Sequence, residues 1–281
     1  MRPKTGVRAL AAGLLVAAGA LAAAPAPASA TWSIVAVDLR TGRVVIASAT
    51  CVPQGRLVSF PADDLRDIQA IVVPGFGVAA AQAGVDRSRE NQRLIQRGLQ
   101  NGTHPSSVLA MLMADPDIQR RQFGIVDLEG RFAGFSGAEN GDASLDVQGQ
   151  VPDTEIYYSI QGNILATNWV VQDAVKAIEE TGGRLTDRVM AAMEAADRAG
   201  GDRRCTCETE PVPDAPCEYR HAHVAYILAA DPEDPVDEEG FNDGDFAVYL
   251  SVTDQDIAPD ENANPVVTLR MRYDAWKAGG P

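Results

Sequence analysis

Strand-like and helix-like segments come in blocks along this chain, and that order is its tightest constraint on fold. Thr31–Leu39 and Val44–Ala49 flank the turn "RTGR" and read as a hairpin, followed by strands at Ile68–Val73 and Gly77–Ala83. Two helices come next, Asp86–Leu99 with a polar, Arg-rich face and Pro105–Met113 with Thr103 as its N-cap. A second hairpin, Gln122–Val126 with Arg131–Phe135, turns across "DLEG", and Tyr157–Ile164 is a further strand. Asn168–Arg198 is helical and breaks at Gly182-Gly183 into two helices. Strands at His223–Ala229 and Asp245–Thr253 follow, and Val266–Arg272 reads as a last strand or the start of a helix. Segregated blocks, rather than strict alternation, predict an α+β fold with helices packed on antiparallel sheets. They argue against a doubly wound nucleotide-binding fold, and no Gly-rich phosphate loop is present.

The first 30 residues are of another kind. Arg2, Lys4 and Arg8 form a basic start, Ala9–Ala23 is almost wholly small and apolar, and Ala28-Ser29-Ala30 closes the segment. That is the layout of a secretory signal peptide cleaved after Ala30. The apolar run is shorter than the roughly 20 residues a membrane span needs. Of the 281 residues, 251 then remain as residues 31–281. With 46% hydrophobic residues, no internal repeat and no clean linker, they suit a single domain.

The formal charge is −15, and loss of three basic residues with the leader makes it −18. A surface of that sign repels phosphate backbones and anionic lipid, so neither nucleic acid nor membrane is an expected partner of the mature form. Much of the acidity lies in a loop at Asp231–Asp245. Its carboxylates are hard ligands suited to Ca²⁺, but the spacing is not that of an EF-hand, and a solvated hairpin connection is the preferred reading. Cys51, Cys205, Cys207 and Cys217 in an exported chain suggest two disulfides. Cys205 and Cys207 are too close to pair easily, so one is expected with Cys217 and the other with Cys51. A metal cluster using His221 and His223 is the rival; its spacings match no standard zinc pattern. No metal or other cofactor is expected.

Cleavage after Ala30 would place a threonine first, at the head of a strand. Thr31 would then carry a hydroxyl and a free α-amino group. A threonine hydroxyl is a poor nucleophile until a base takes its proton, and an α-amino group with a pKa near ~8 can be that base. A strand holds the two rigidly. This is the chemistry of an N-terminal nucleophile amidohydrolase.

Five blocks, "TWSIVAVDLRTGRVVIASATCVP", "GVAAAQAG", "RQFGIVDLEGRFAGFSG", "IQGNILA" and "AGGDRR", occur in that order. Together they resemble a bacterial family known as domain of unknown function 1028, over about Thr31 to Ala230. The resemblance implies a four-layer αββα sandwich of the N-terminal nucleophile hydrolase superfamily, and no substrate. It implies Thr31 as nucleophile and, through its amine, general base. Asn163, in "QGN", is the expected side-chain donor to the oxyanion, and Gly162 lets backbone approach closely. Asp202 is expected to orient the amine of Thr31 and tune its pKa; Arg203 and Arg204 follow it beyond the Gly-Gly stop of the second helix. Ser33 shares the Thr31 face by period two and Asp38 lies on the opposite one; Ser33, Gly162, Arg203 and Gln82 are the candidate substrate-binding residues, Gln82 for a substrate amide. For Ser33, Gly162 and Asn163, a plain packing or turn role is the alternative, and for Asp202 and Arg203 a helix terminus with an internal ion pair. His104, His221 and His223 are read as structural.

Two features depart from the pattern. Many threonine hydrolases of that superfamily carry a lysine on the neighbouring strand, and here the return strand reads "VVIASAT". The Cys-rich loop 205–217 is longer than usual. The expected function is therefore an exported amide hydrolase acting on a small molecule or peptide, and the alternatives are a non-catalytic binding or scaffold protein and a disulfide-stapled envelope domain. Homo-oligomeric assembly is left open.

Overall fold

The computed structural model describes Met1 and residues 31–60, 62–236 and 241–279. The expected signal peptide and the expected cut before Thr31 lie outside these residues, as does part of the acidic loop.

Among the described residues ten strands form two antiparallel sheets. In chain order they are β1 (Thr31–Asp38), β2 (Arg43–Thr50), β3 (Ala70–Val73), β4 (Gly77–Ala83), β5 (Arg121–Asp127), β6 (Phe132–Ser136), β7 (Leu145–Gln150), β8 (Ile156–Asn163), β9 (Val224–Ala230) and β10 (Val248–Thr253). One sheet has the order β10-β9-β2-β1-β8-β7 and the other β3-β4-β5-β6. The helices are α1 (Gln54–Leu57), α2 (Leu65–Gln69), α3 (Glu90–Gln100), α4 (Pro105–Leu112), α5 (Trp169–Glu180), α6 (Leu185–Arg198) and α7 (Pro265–Gly279).

The layers follow from the period of the strands. Along β1 every residue is buried, because it is a central strand covered on both sides. Trp32, Ile34 and Ala36 pack under α5, α6 and α7 with Val170, Val189, Met193, Leu269 and others. Val35 and Val37 face the second sheet, with Val72, Val78 and Val126 across the gap. The outer face of that sheet presents Ile71, Ala79 and Ile125 to Ile95, Leu99, Val108 and Leu112 of α3 and α4. The result is the expected αββα sandwich. Gly98 is required where α3 meets α4, since a Cβ there would lie 2.5 Å from Val108 Cγ2.

Local signals misplaced a few elements. Ile68–Gln69 belongs to α2: the Asp64 side chain accepts from Asp67 N at 3.1 Å and starts a helical turn, so β3 begins only at Ala70. His104, not Thr103, caps α4, its Nδ1 accepting from Ser106 N at 3.2 Å with Pro105 following. The segment from Pro265 is a helix, begun by Asn264, whose side chain accepts from Val266 N at 3.0 Å. Strand β7 escapes the pattern because it is a half-exposed edge strand rich in Gln and Gly.

The cysteines pair as Cys51–Cys205 and Cys207–Cys217, with Cα separations of 5.7 and 5.9 Å. That settles which of the two close cysteines reaches Cys51 and removes the sulfur ligands of the metal reading. Buried Arg220 braces the same loop by donating to the carbonyls of Thr206, Thr209 and Pro211. No helix among the described residues is long and apolar enough to cross a membrane.

Candidate functional site

Thr31 lies where three strands of the larger sheet end together. The tight β1–β2 hairpin sets the first residue of β1 opposite the last of β2, Thr50, and β8 ends opposite it with Asn163. Thr31 is 3% exposed, and its Oγ1 stands 3.3 Å from Oγ1 of Thr50. Thr50 Oγ1 also accepts from Val52 N at 3.2 Å, which holds the Thr50 rotamer.

The facing sheet contributes amides. Gln82 on β4 and Gln122 on β5 are cross-strand partners. Gln82 Nε2 donates to the Thr31 carbonyl at 3.2 Å and to Gln122 Oε1 at 2.7 Å. Asn163 Nδ2 donates to the same two acceptors, at 3.5 and 3.1 Å. Gln122 Nε2 in turn donates to the Gly162 carbonyl at 2.8 Å and to Ser136 Oγ at 2.9 Å. Gln122 is fully buried, and its side-chain nitrogen and oxygen both have partners within the hub. Its effect is to fix the carbonyl of Thr31 from the side opposite its own sheet.

The other residues singled out in the sequence fall around this point in different ways. Asn163 is beside Thr31, with its amide nitrogen engaged by Thr31 and Gln122. Gly162 supplies the carbonyl for Gln122, and a Cβ there would lie 2.8 Å from the Leu165 side chain. Ser33 faces the sheet interface, where its Oγ accepts from Gln161 Nε2 at 2.5 Å, one step along β1 from the cavity described below. Asp202 is fully buried behind the strand ends. Its carboxylate accepts from Cys51 N at 3.0 Å and from the Arg204 guanidinium at 2.6 Å, and its backbone bridges to Leu165. Gly201, at φ +43°, lets this loop lie on Trp32, since a Cβ there would meet the ring at 2.8 Å. Arg203 is exposed and does not line the cavity.

Beside Thr31 is a narrow cavity of about 30 Å³, room for a water or two. Leu57, Phe60, Leu65 and Phe123 give it apolar walls; Thr50, Gln69, Gln82 and Gln92 add polar atoms. At one end Asp86, Asn91 and Arg121 separate it from an open groove of about 490 Å³ along α3. Burial pushes the Asp86 carboxyl up, but bonds from Asn91 N and Ser88 outweigh it and hold it below the usual range. Burial likewise opposes the ionised form of Asp115, and its bonds with Arg121 and Asn91 outweigh that. Arg121 is thereby committed: Nε to Asp115 at 2.8 Å and Nη1 to the Gly84 carbonyl at 2.8 Å. Among the described residues no group of three or more His, Cys, Asp or Glu side chains could hold a metal ion.

Sequence reasoning missed Thr50, Gln69 and Gln122. Counting register back from the "RTGR" turn would have placed Thr50 opposite Thr31. Gln122 required knowing that the two sheets face each other, and Gln69 was hidden in a segment read as strand.

No curated protein matches the chain. Its fold is similar to that of protein SPO2555 from Silicibacter pomeroyi, a crystal structure of the DUF1028 family model. The match has a TM-score of 0.63 and 24% identity over 90% of this chain and 88% of that one. The model of DUF1028, a family of unknown function, matches residues 31–208. With its match beginning at Thr31 and taking in β1–β8, the chain belongs to the DUF1028 family.

Proposed function

We propose that this chain is the precursor of an exported N-terminal nucleophile amidohydrolase, activated when removal of residues 1–30 leaves Thr31 first. The supporting observation is the position of Thr31: head of a central, fully buried strand, on the wall of a cavity, hydroxyl to hydroxyl with Thr50 at 3.3 Å. The family match starting at Thr31 and two disulfides that suit an oxidising compartment support the same reading.

In the reaction the α-amine of Thr31 takes the proton from Oγ1 as Oγ1 bonds to the substrate carbonyl carbon. Collapse of the tetrahedral species breaks the C–N bond, and the amine leaves with that proton. Water then cleaves the Thr31 ester by the reverse sequence, releasing the acid and restoring the hydroxyl. Gln82 and Asn163 hold the Thr31 carbonyl, so the nucleophile is oriented before substrate arrives. Thr50 occupies the neighbouring-strand position beside the nucleophile and offers a hydroxyl there instead of a lysine ammonium. Asp202, tied to Cys51 N, braces the end of β2 that carries Thr50.

The test is covalent labelling of the exported protein by an amide-directed electrophile, such as a β-lactone. A label on wild type and Thr31→Ser, absent from a folded Thr31→Ala, is the expected result. Equal labelling of Thr31→Ala, or none in any form, would favour a non-catalytic binding protein.

A further inference from the structure

Gln69 lines the cavity beside Thr31 and is 1% exposed, and its Oε1 has no hydrogen-bond partner among the described residues. The direction of the amide chain fixes which of its two amide atoms is left over. The carbonyls of Gly162 and Thr31 can only accept, so Gln122 Nε2 and Gln82 Nε2 must face them. Gln122 Oε1 then takes Gln82 Nε2 at 2.7 Å, and Gln82 Oε1 takes Gln69 Nε2 at 3.5 Å. Reversing Gln69 would set two oxygens against each other, so its Oε1 is an acceptor by necessity.

At about 30 Å³ the cavity has room for a water or two and for no acyl or amine fragment. Leu57, Leu65 and Phe123 offer a water nothing to bond, so one seated here is held by the few polar atoms on the wall. Gln69 and Thr31 are both on that wall, and Gln82 links them, bonded to the Gln69 amide and to the Thr31 carbonyl. A buried acceptor without a donor is costly, and a water bonded to Gln69 Oε1 removes that cost. The same water then stands beside the nucleophile.

We propose that this cavity seats the water that cleaves the Thr31 ester, and that Gln69 is the positioning residue that aims it. The inference rests on reading Thr31 as the acylated nucleophile, and it names the source of the second reactant. One O–H of the water donates to Gln69 Oε1, which leaves the other for the α-amine of Thr31. As the amine takes that proton, the water oxygen bonds to the ester carbonyl carbon. On collapse the bond to Oγ1 breaks, the ammonium returns the proton to Oγ1, and the acid leaves. An acyl group is too large for the cavity, so acylation of Thr31 does not displace the water. Gln69 has no part in acylation itself, where Oγ1 is the attacking atom.

The experiment acylates the exported protein with 4-nitrophenyl acetate and follows its intact mass, gain of acetyl on Thr31 reporting acylation and loss reporting hydrolysis. Gln69→Leu should gain the acetyl group at the wild-type rate within about twofold and lose it at least about tenfold more slowly, the factor one hydrogen bond is worth. A merely structural Gln69 would slow both steps together, and that result overturns the proposal. So does hydrolysis no faster in wild type than in Gln69→Leu. A crystal structure of the exported wild type needs no variant to fold: a water within hydrogen-bond distance of Gln69 Oε1 is expected, and a dry cavity overturns the proposal. Failure of wild type to take acetyl on Thr31 would end the nucleophile reading and the water's role with it. Acetylation followed by equal hydrolysis in both forms would end the Gln69 assignment alone.

Discussion

Replacing Gln122 by Leu keeps the volume of the side chain and removes every hydrogen bond it makes. The Gly162 carbonyl loses its 2.8 Å donor, and Gln82 Nε2 and Asn163 Nδ2 lose the acceptor they share at 2.7 and 3.1 Å. Ser136 is hurt less, because its Oγ keeps Ser144 Oγ at 2.5 Å. A stranded buried polar group costs about 1–3 kcal/mol. One stranded carbonyl, and two amide nitrogens that each keep only the Thr31 carbonyl, offset in part by the apolar gain of Leu, give a loss of about 2–4 kcal/mol, large for one substitution. The assay is denaturant unfolding with disulfides intact, followed by tryptophan fluorescence, since Trp32 sits next to Thr31 in the core. Ser136→Ala is the control and should cost about 1 kcal/mol or less. A loss below about 1.5 kcal/mol for Gln122→Leu at unchanged m would show that the amides do not act as one network, and the fixed carbonyl of Thr31 would go with it.

Three further outcomes follow from the packing and the charges. A Cβ on Gly124 would lie 2.1 Å from Gln161 Oε1, and Gln161 is pinned by Ser33 and Ser159; Gly124→Ala should cost about 1–3 kcal/mol in chemical unfolding, whereas Gly182→Ala, with nothing within 4 Å, should not destabilise. The chain-entropy model gives about 5 kcal/mol for Cys51–Cys205, 154 residues apart, and about 3 for Cys207–Cys217, 10 apart, an order that paired Cys→Ala variants should reproduce in denaturant midpoints. Burial, with Arg220 and Arg204 nearby, pulls His223 down to about 4, while burial pushes Asp254 up to about 6. Between pH 7 and 5 the unfolded chain gains a proton on His223 and the folded one gains it on Asp254, so wild-type stability should stay nearly flat. Asp254→Asn removes the folded-state uptake and should lose about 1–2 kcal/mol over that range; a flat profile in the variant would refute the pairing.

How much was legible beforehand depended on whether the signal was local. Strand β1, the hairpins and the break at Gly182-Gly183 are written in period and turn chemistry; the segregation of blocks was enough to name helices packed on antiparallel sheets, and the four layers came with the family resemblance. Gln69 and Gln122 were not legible, because their roles exist only across the gap between two sheets whose register no local pattern encodes. Asn163 and Gln82 were picked out, yet their bonds to the Thr31 carbonyl are visible only once β4 and β8 are set against β1. Asp202 shows the limit in another way: a carboxylate after a helix stop could have pointed anywhere, and the Cys51–Cys205 bridge places it at the end of β2.

The central claim is that a peptide bond before Thr31 is cut to make the site. Intact mass and N-terminal sequence of the exported protein test it most directly. The expected result is a chain that begins at Thr31 and carries both disulfides. A chain beginning at any other residue would leave Thr31 without a free amine or without a place in the protein, and would contradict it.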